Sequence, residues 1–139
     1  MGIRTWSSGP LTVATATTWS GSGSSGVTYK SDNSEAYSNM TINGTIEKIV
    51  LNFTSSDSNA ILTIASQDTP SESFAVITDW SNDITLYPEI EATDNTNASL
   101  AASNKTNVFT KYVSDGSVKI TCSGATANDT VAIKIYYRV

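Results

Sequence analysis

The sequence predicts an all-β domain, a β-sandwich or jelly roll with an extended N-terminal arm, and three observations predict it. Apolar residues recur with period two in short runs, the signature of half-buried strands. Clusters of Gly, Asn, Asp and Ser separate those runs, as in SGSGSSG, SSDSN and SDG. No window carries the i, i+3, i+4, i+7 apolar spacing of an amphipathic helix, and β-branched residues dominate.

In chain order, the pattern predicts strands over 11–19, 26–31, 39–44, 45–54, 60–66, 72–80, 83–93, 97–103, 107–113, 117–123 and 129–139. Pro88 lies inside an otherwise good strand, so that segment belongs at a sheet edge or a bulge. Asp115-Gly116 supplies a hairpin turn, with Val118, Ile120 and Cys122 leaving it on one face. In the closing strand Val131, Ile133, Ile135 and Tyr137 share the core face, and Ala132, Lys134, Tyr136 and Arg138 share the other. At 139 residues the chain fits one domain. Residues 11–139 form that domain in this reading, and residues 1–10, MGIRTWSSGP, form the arm. Ile3 and Trp6 are apolar residues in a segment too short and polar to bury them alone. They either fold back as a first strand or anchor on a neighbouring chain. The stretch 18–26, rich in Gly and Ser, suits a long loop or linker.

Composition excludes several function classes. Charged residues are only 15% of the chain, against a usual share of about 25%. Ser 21, Thr 20 and Asn 11, together 52 of 139, fill the gap and leave a solvated surface that carries little charge, which leans towards an extracellular or virion setting. The net charge is −5 and no two basic residues are adjacent, so neither nucleic acid nor an anionic membrane is an expected partner. No apolar run reaches the 18 or so residues of a membrane span.

Histidine is absent, which removes Ser-His-Asp and Cys-His nucleophilic systems and His-dependent metal sites. Cys122 stands alone and alternates with Ile120 and Val118, so it reads as a buried small hydrophobe. A carboxylate pair for glycoside hydrolysis is the remaining catalytic possibility, with Asp79, Asp83, Glu89 and Glu91 as candidates. A polar strand face with solvated acids explains them better. Asp57-Ser58-Asn59 and the Asp94–Asn97 cluster offer hard oxygens of the kind Ca²⁺ takes, but Asx turns account for both. The expectation is no catalytic residue, no cofactor and no metal.

The order YP, polar turn, short apolar strand, D-G hairpin and closing V-x-I-x-Y strand is carried by DITLYPEIEATDNTNASLAAS, YVSDGSVKITCSG and DTVAIKIYYRV. Over residues 83–139 it resembles the ending of small tailed-bacteriophage virion proteins of the head decoration (cement) type. The resemblance implies a non-enzymatic β-sandwich or jelly roll, often trimeric, seated on the major capsid protein at the capsid exterior. It also implies an N-terminal arm reaching a neighbour. On the residues of this chain, Ile3, Arg4, Trp6 and Trp19 are then the candidate interface. The alternative is a glycan- or receptor-binding module of a tail fibre or baseplate, acting through exposed Trp80 and Tyr87. Where the loose aromatics sit discriminates the two.

Overall fold

In a computed structural model, the structure describes residues 2–67, 71–81, 83–91 and 109–139. Among them are no helices and thirteen strands. These are β1 (Ile3–Thr15), β2 (Thr18–Trp19), β3 (Val27–Tyr29), β4 (Ala36–Ser38), β5 (Gly44–Phe53), β6 (Ile61–Ser66), β7 (Ser73–Ile77), β8 (Ile84–Leu86), β9 (Glu89–Glu91), β10 (Phe109–Lys111), β11 (Val113–Ser114), β12 (Val118–Ser123) and β13 (Thr130–Arg138). One sheet runs β11-β5-β13-β1-β2, with β8 also on β5, and the other runs β3-β4-β12-β6-β7. All pairings are antiparallel, and β9 and β10 pair separately. The two sheets pack face to face as an all-β sandwich.

Inward alternation builds the core. Val131, Ile133, Ile135 and Tyr137 of β13 are buried while Lys134 is exposed, as the period-two pattern requires. Across the sandwich, Val118, Ile120 and Cys122 of β12 meet them with Leu62 and Ile64 of β6.

One-residue bulges in the β1–β13 and β5–β13 ladders shift the inward phase. On β1, Ser7 faces Lys134 but Pro10 faces Ala132, so one extra residue is absorbed at Gly9, whose φ is +72°. The buried set therefore runs Trp6, Ser8, then Leu11, Val13. Ser8 Oγ accepts the Ile133 N–H at 2.9 Å, satisfying a ladder donor beside the bulge. On β5, Tyr136 faces Lys48 but Tyr137 faces Ile46, which leaves Glu47 as the extra residue.

The β1 ladder corrects the arm. Residues 3–10 form the first part of a 13-residue strand whose register with β13 begins at Ile3–Arg138. The division into a 1–10 arm and an 11–139 domain is therefore replaced by a strand crossing it. Gly9-Pro10, which read as the end of an arm, is the bulge. Gly26 clasps the same stretch from the second sheet: its N–H donates to Ser8 O at 3.1 Å, and its carbonyl accepts the Trp6 indole N–H at 3.0 Å. A Cβ at Gly26 would lie 2.0 Å from Ser7 O, so only glycine permits this approach.

Other expected elements moved as well. The strand over 39–44 is absent before Gly44, and Ala36–Ser38 takes that place in the sheet. Ile42 of the connection is nevertheless buried, with its N–H bonded to Gly116 O at 2.8 Å. The 83–93 strand splits into β8 and β9 around Tyr87-Pro88, with β8 at the sheet edge, where a missing N–H costs no ladder bond. The strand expected over 97–103 and the Asp94–Asn97 cluster lie outside the described residues.

Candidate functional site

The aromatics singled out in the sequence divide sharply by burial. Trp6 belongs to the core and is pinned by its bond to Gly26. Trp19 is fully buried and donates its indole N–H to Ile120 O of β12 at 3.2 Å, so a residue of the first sheet bonds to the second. Trp80 is also fully buried, with its ring stacked on Phe53 at 5.3 Å between centroids. None of the three can serve as a surface contact. This corrects the assignments of Trp6 and Trp19 to an interface and of Trp80 to a glycan platform. The physical reason is the large apolar area of each ring, which favours the core wherever the backbone position lets the ring reach it.

Tyr87 behaves differently, being 67% exposed. It lines an open groove of about 500 Å³ with Ile3, Glu47, Lys48, Pro88, Glu89, Lys111 and Tyr136. Ile3 came from the interface proposal and Tyr87 from the glycan alternative, and the fold places both in this one groove. Arg4 is exposed but lines a different groove, with Met40 and Tyr137.

Alternation and the bulge together build the groove. Tyr136 lies on the outward face of β13, and Lys48 faces it across the ladder with its ammonium 4.6 Å from the ring centroid. Glu47, the bulged residue, places its carboxylate between Lys111, with which it forms an ion pair, and Arg138 Nε at 2.9 Å. The hydrogen bonds from Lys111 and Arg138 hold the Glu47 carboxyl below the usual carboxylate range. The groove is thus an apolar and aromatic floor with a fixed, charge-balanced rim. Lys48, Lys111, Lys134 and Arg138, four of the eight basic residues, belong to this groove or to the outward face of β13 beside it. Sequence reasoning did place Lys134, Tyr136 and Arg138 on one outward face. It missed Glu47, Lys48 and Lys111, because a one-residue bulge and a partner far along the chain leave no periodic trace.

Among the described residues, the candidate carboxylates Asp79, Asp83 and Glu89 do not assemble into a pair. Asp79 is exposed, Asp83 accepts a long 3.5 Å bond from Asn52 Nδ2, and Glu89 stands on the groove rim. The side chain of Glu91 lies outside the described residues. No group of three or more His, Cys, Asp or Glu gathers among the described residues. Cys122 is buried, and burial, reinforced by the charge of Asp129, pushes its thiol up to about 11, leaving it protonated and unreactive near neutrality.

One carboxyl pair does meet, away from the groove. Asp57 is in an Asx turn, accepting the Asn59 N–H at 3.0 Å, as the bland reading of that cluster expected. Asp129 is buried, and accepts the Thr126 N–H at 3.0 Å and the Ser55 hydroxyl at 3.1 Å. Burial first, then the bond to Asp57, raises the Asp129 carboxyl, while the bond from Asp129 is the largest cause lowering Asp57. The contact thus favours the protonated form of Asp129 and the ionised form of Asp57, and the two titrate as a pair.

The sign of the pH dependence follows. Stability from Asp129 is complete below its unfolded pKa and is lost as pH rises through the raised folded value. Stability from Asp57 is present above its unfolded pKa and is lost as pH falls through the lowered one. The pair therefore holds best between the two, around the ordinary aspartate range, and two facing carboxylates remain above it. Thermal melts from about pH 4 to pH 7 are expected to show a decline that Asp129→Asn flattens, since the amide still donates to Asp57. An unchanged slope in that variant would refute the coupling of the two carboxyls.

No family model and no curated protein matches the chain. Among solved structures, the crystal structure of FLHE aligns over 100% of both chains at 8% identity, with a TM-score of 0.42.

Proposed function

We propose that the chain is a non-enzymatic structural protein of a tailed-phage virion, a head decoration protein seated on the major capsid protein at the capsid exterior. The Tyr87 groove carries this reading. With Trp6 and Trp19 committed to the core, docking shifts from an N-terminal arm to the outer face of the larger sheet. There Ile3, Tyr87, Pro88 and Tyr136 offer apolar contact inside a charged rim, the arrangement of an interface core. A surface rich in Ser, Thr and Asn, the scattered carboxylates and the resemblance of residues 83–139 to virion proteins support the same role. Each copy would bridge neighbouring capsid subunits and add contact area against internal pressure.

Tyr87→Ala is expected to weaken attachment to particles lacking the protein by roughly 30-fold or more, the loss of one hot-spot aromatic. Its melting temperature should barely move, because the ring is largely outside the core. Full occupancy of particles by this variant would overturn the proposal.

A second reading, a glycan-binding module, is favoured by one observation: Tyr87 stands open to solvent beside Glu89 and Lys48, able to stack on a sugar ring. Binding to host-surface glycan that Tyr87→Ala abolishes, with particle attachment intact, would establish this reading instead.

A further inference from the structure

Among the asparagines of the chain, Asn43 is the one followed by glycine. In such a pair the glycine backbone nitrogen can close on the amide carbon of the asparagine, because no side chain crowds the approach. The fold itself calls for both residues. Gly44 opens β5 with φ +150°, and a Cβ there would lie 2.2 Å from Arg138 O of β13, so only glycine fits. Asn43 is exposed, and its Oδ1 accepts the Gly116 N–H at 2.8 Å, which ties the start of β5 to the Asp115-Gly116 turn. That donor also draws electrons towards the side-chain oxygen, which leaves Cγ more open to attack.

Pairing with β11 keeps the two groups from reacting. Ile42 N–H donates to Gly116 O at 2.8 Å and Ile46 N–H to Tyr112 O at 2.9 Å, and Gly44 faces Ser114 midway between them. Hydrogen-bonded pairs alternate along an antiparallel ladder, so the Gly44 N–H is committed to Ser114 O. A nitrogen so engaged cannot turn onto Asn43. Yet β11 is two residues long, and its Val113 is 65% exposed. So short a strand opens locally, without the rest of the domain unfolding.

We propose that Asn43 is a self-modification site and that opening of β11 gates it. Once Ser114 has moved away, Gly44 N gives up its proton and attacks Asn43 Cγ. The N–Cγ bond forms, the Cγ–Nδ2 bond breaks, and Nδ2 departs as ammonia, with a proton taken from solvent to replace the one released. Water then opens the cyclic imide at either carbonyl, leaving aspartate or isoaspartate. Isoaspartate lengthens the main chain by the side-chain methylene. Ile42 is held by Gly116 and Gly44 is pressed on Arg138 O, so β11 cannot pair again in register around the longer link. The inference is independent of the proposed function, since neither Asn43 nor β11 lines the Tyr87 groove.

The test follows Asn43 by peptide mass spectrometry in the full chain, kept in mildly alkaline buffer, with the chain unfolded in guanidinium chloride as reference. The folded chain is expected to convert roughly 10- to 100-fold more slowly than the unfolded one, the range of a local opening. Val113→Gly, at an exposed position of β11, is expected to speed conversion in the folded chain by about three- to fivefold, because glycine weakens a strand. Its melting temperature should stay within about 4 °C of the wild type. Equal rates in the folded and unfolded chains would overturn the proposal. Suppression beyond about 1,000-fold would do so too, since global unfolding alone then exposes the pair. So would a Val113→Gly chain that converts no faster than the wild type.

Discussion

Replacing Trp6 by alanine is expected to lower the melting temperature by roughly 10–20 °C. Truncating a buried Trp costs about 3–5 kcal/mol, and each kcal/mol moves the midpoint of a domain this size by about 3–4 °C. Three features of the site place the effect at the upper part of that range. Trp6 is 3% exposed, its indole N–H is committed to Gly26 O, and it sits just before the β1 bulge. Removing the ring opens a cavity between β1 and the start of β3 and takes from the Gly26 carbonyl one of its two donors, the other being the Asn39 N–H at 3.0 Å. Gly26 already touches the β1 backbone, so the strand cannot collapse inward to fill the space. A differential scanning measurement checks it. A shift under about 2 °C would mean that residues 3–8 are not part of the cooperative unit and would restore the arm.

The arm shows where the sequence was legible and where it was not. Period two identified β5, β6, β12 and β13 because each holds an unbroken inward phase over most of its length, as Val131, Ile133, Ile135 and Tyr137 do. The pattern in β1 is Trp6, Ser8, Leu11, Val13, even numbers followed by odd. A strict alternation filter cuts such a strand in two, and Gly9-Pro10 at the break looks like a terminus. Glycine inside a strand is also the mark of a bulge, and that signal was available in the sequence. A buried serine at the phase change is a second one, since Ser8 Oγ accepts the Ile133 N–H beside the bulge.

The groove was half legible for a related reason. Tyr136 and Arg138 fall on the outward face of β13 by simple alternation, and Pro88 predicted an edge next to Tyr87. Glu47 comes to Lys111 only through tertiary pairing, 64 residues apart in the chain. No local rule reports such a partner. Exposure of an aromatic is equally nonlocal: Trp80 and Tyr87 sit in similar polar contexts, yet one stacks on Phe53 and the other faces solvent.

Trp19→Ala is expected to cost a comparable 3–5 kcal/mol, seen as a fall of about 1.5–3 M in the urea midpoint for slopes typical of small domains. The argument differs from that for Trp6. β2 is two residues long, and its ladder to β1 consists of Trp19 opposite Val13 and Thr18 opposite Thr15. So short a strand cannot hold itself in place. The Trp19 side chain does so instead, buried between the sheets with its N–H on Ile120 O. Backbone bonds then lock the neighbourhood: Trp19 N–H to Asn33 O and Ser20 N–H to Thr12 O, each at 2.8 Å. Losing the indole should therefore do more than lower global stability. Hydrogen exchange at the Trp19 and Ser20 amides should accelerate beyond the global change as the 15–20 segment frays. Amides of β12 and β13, at the centres of their sheets, should follow global unfolding alone. Uniform acceleration across the chain would contradict the anchoring role. An unchanged urea midpoint would mean that the ring lies outside the core, free to contact another molecule.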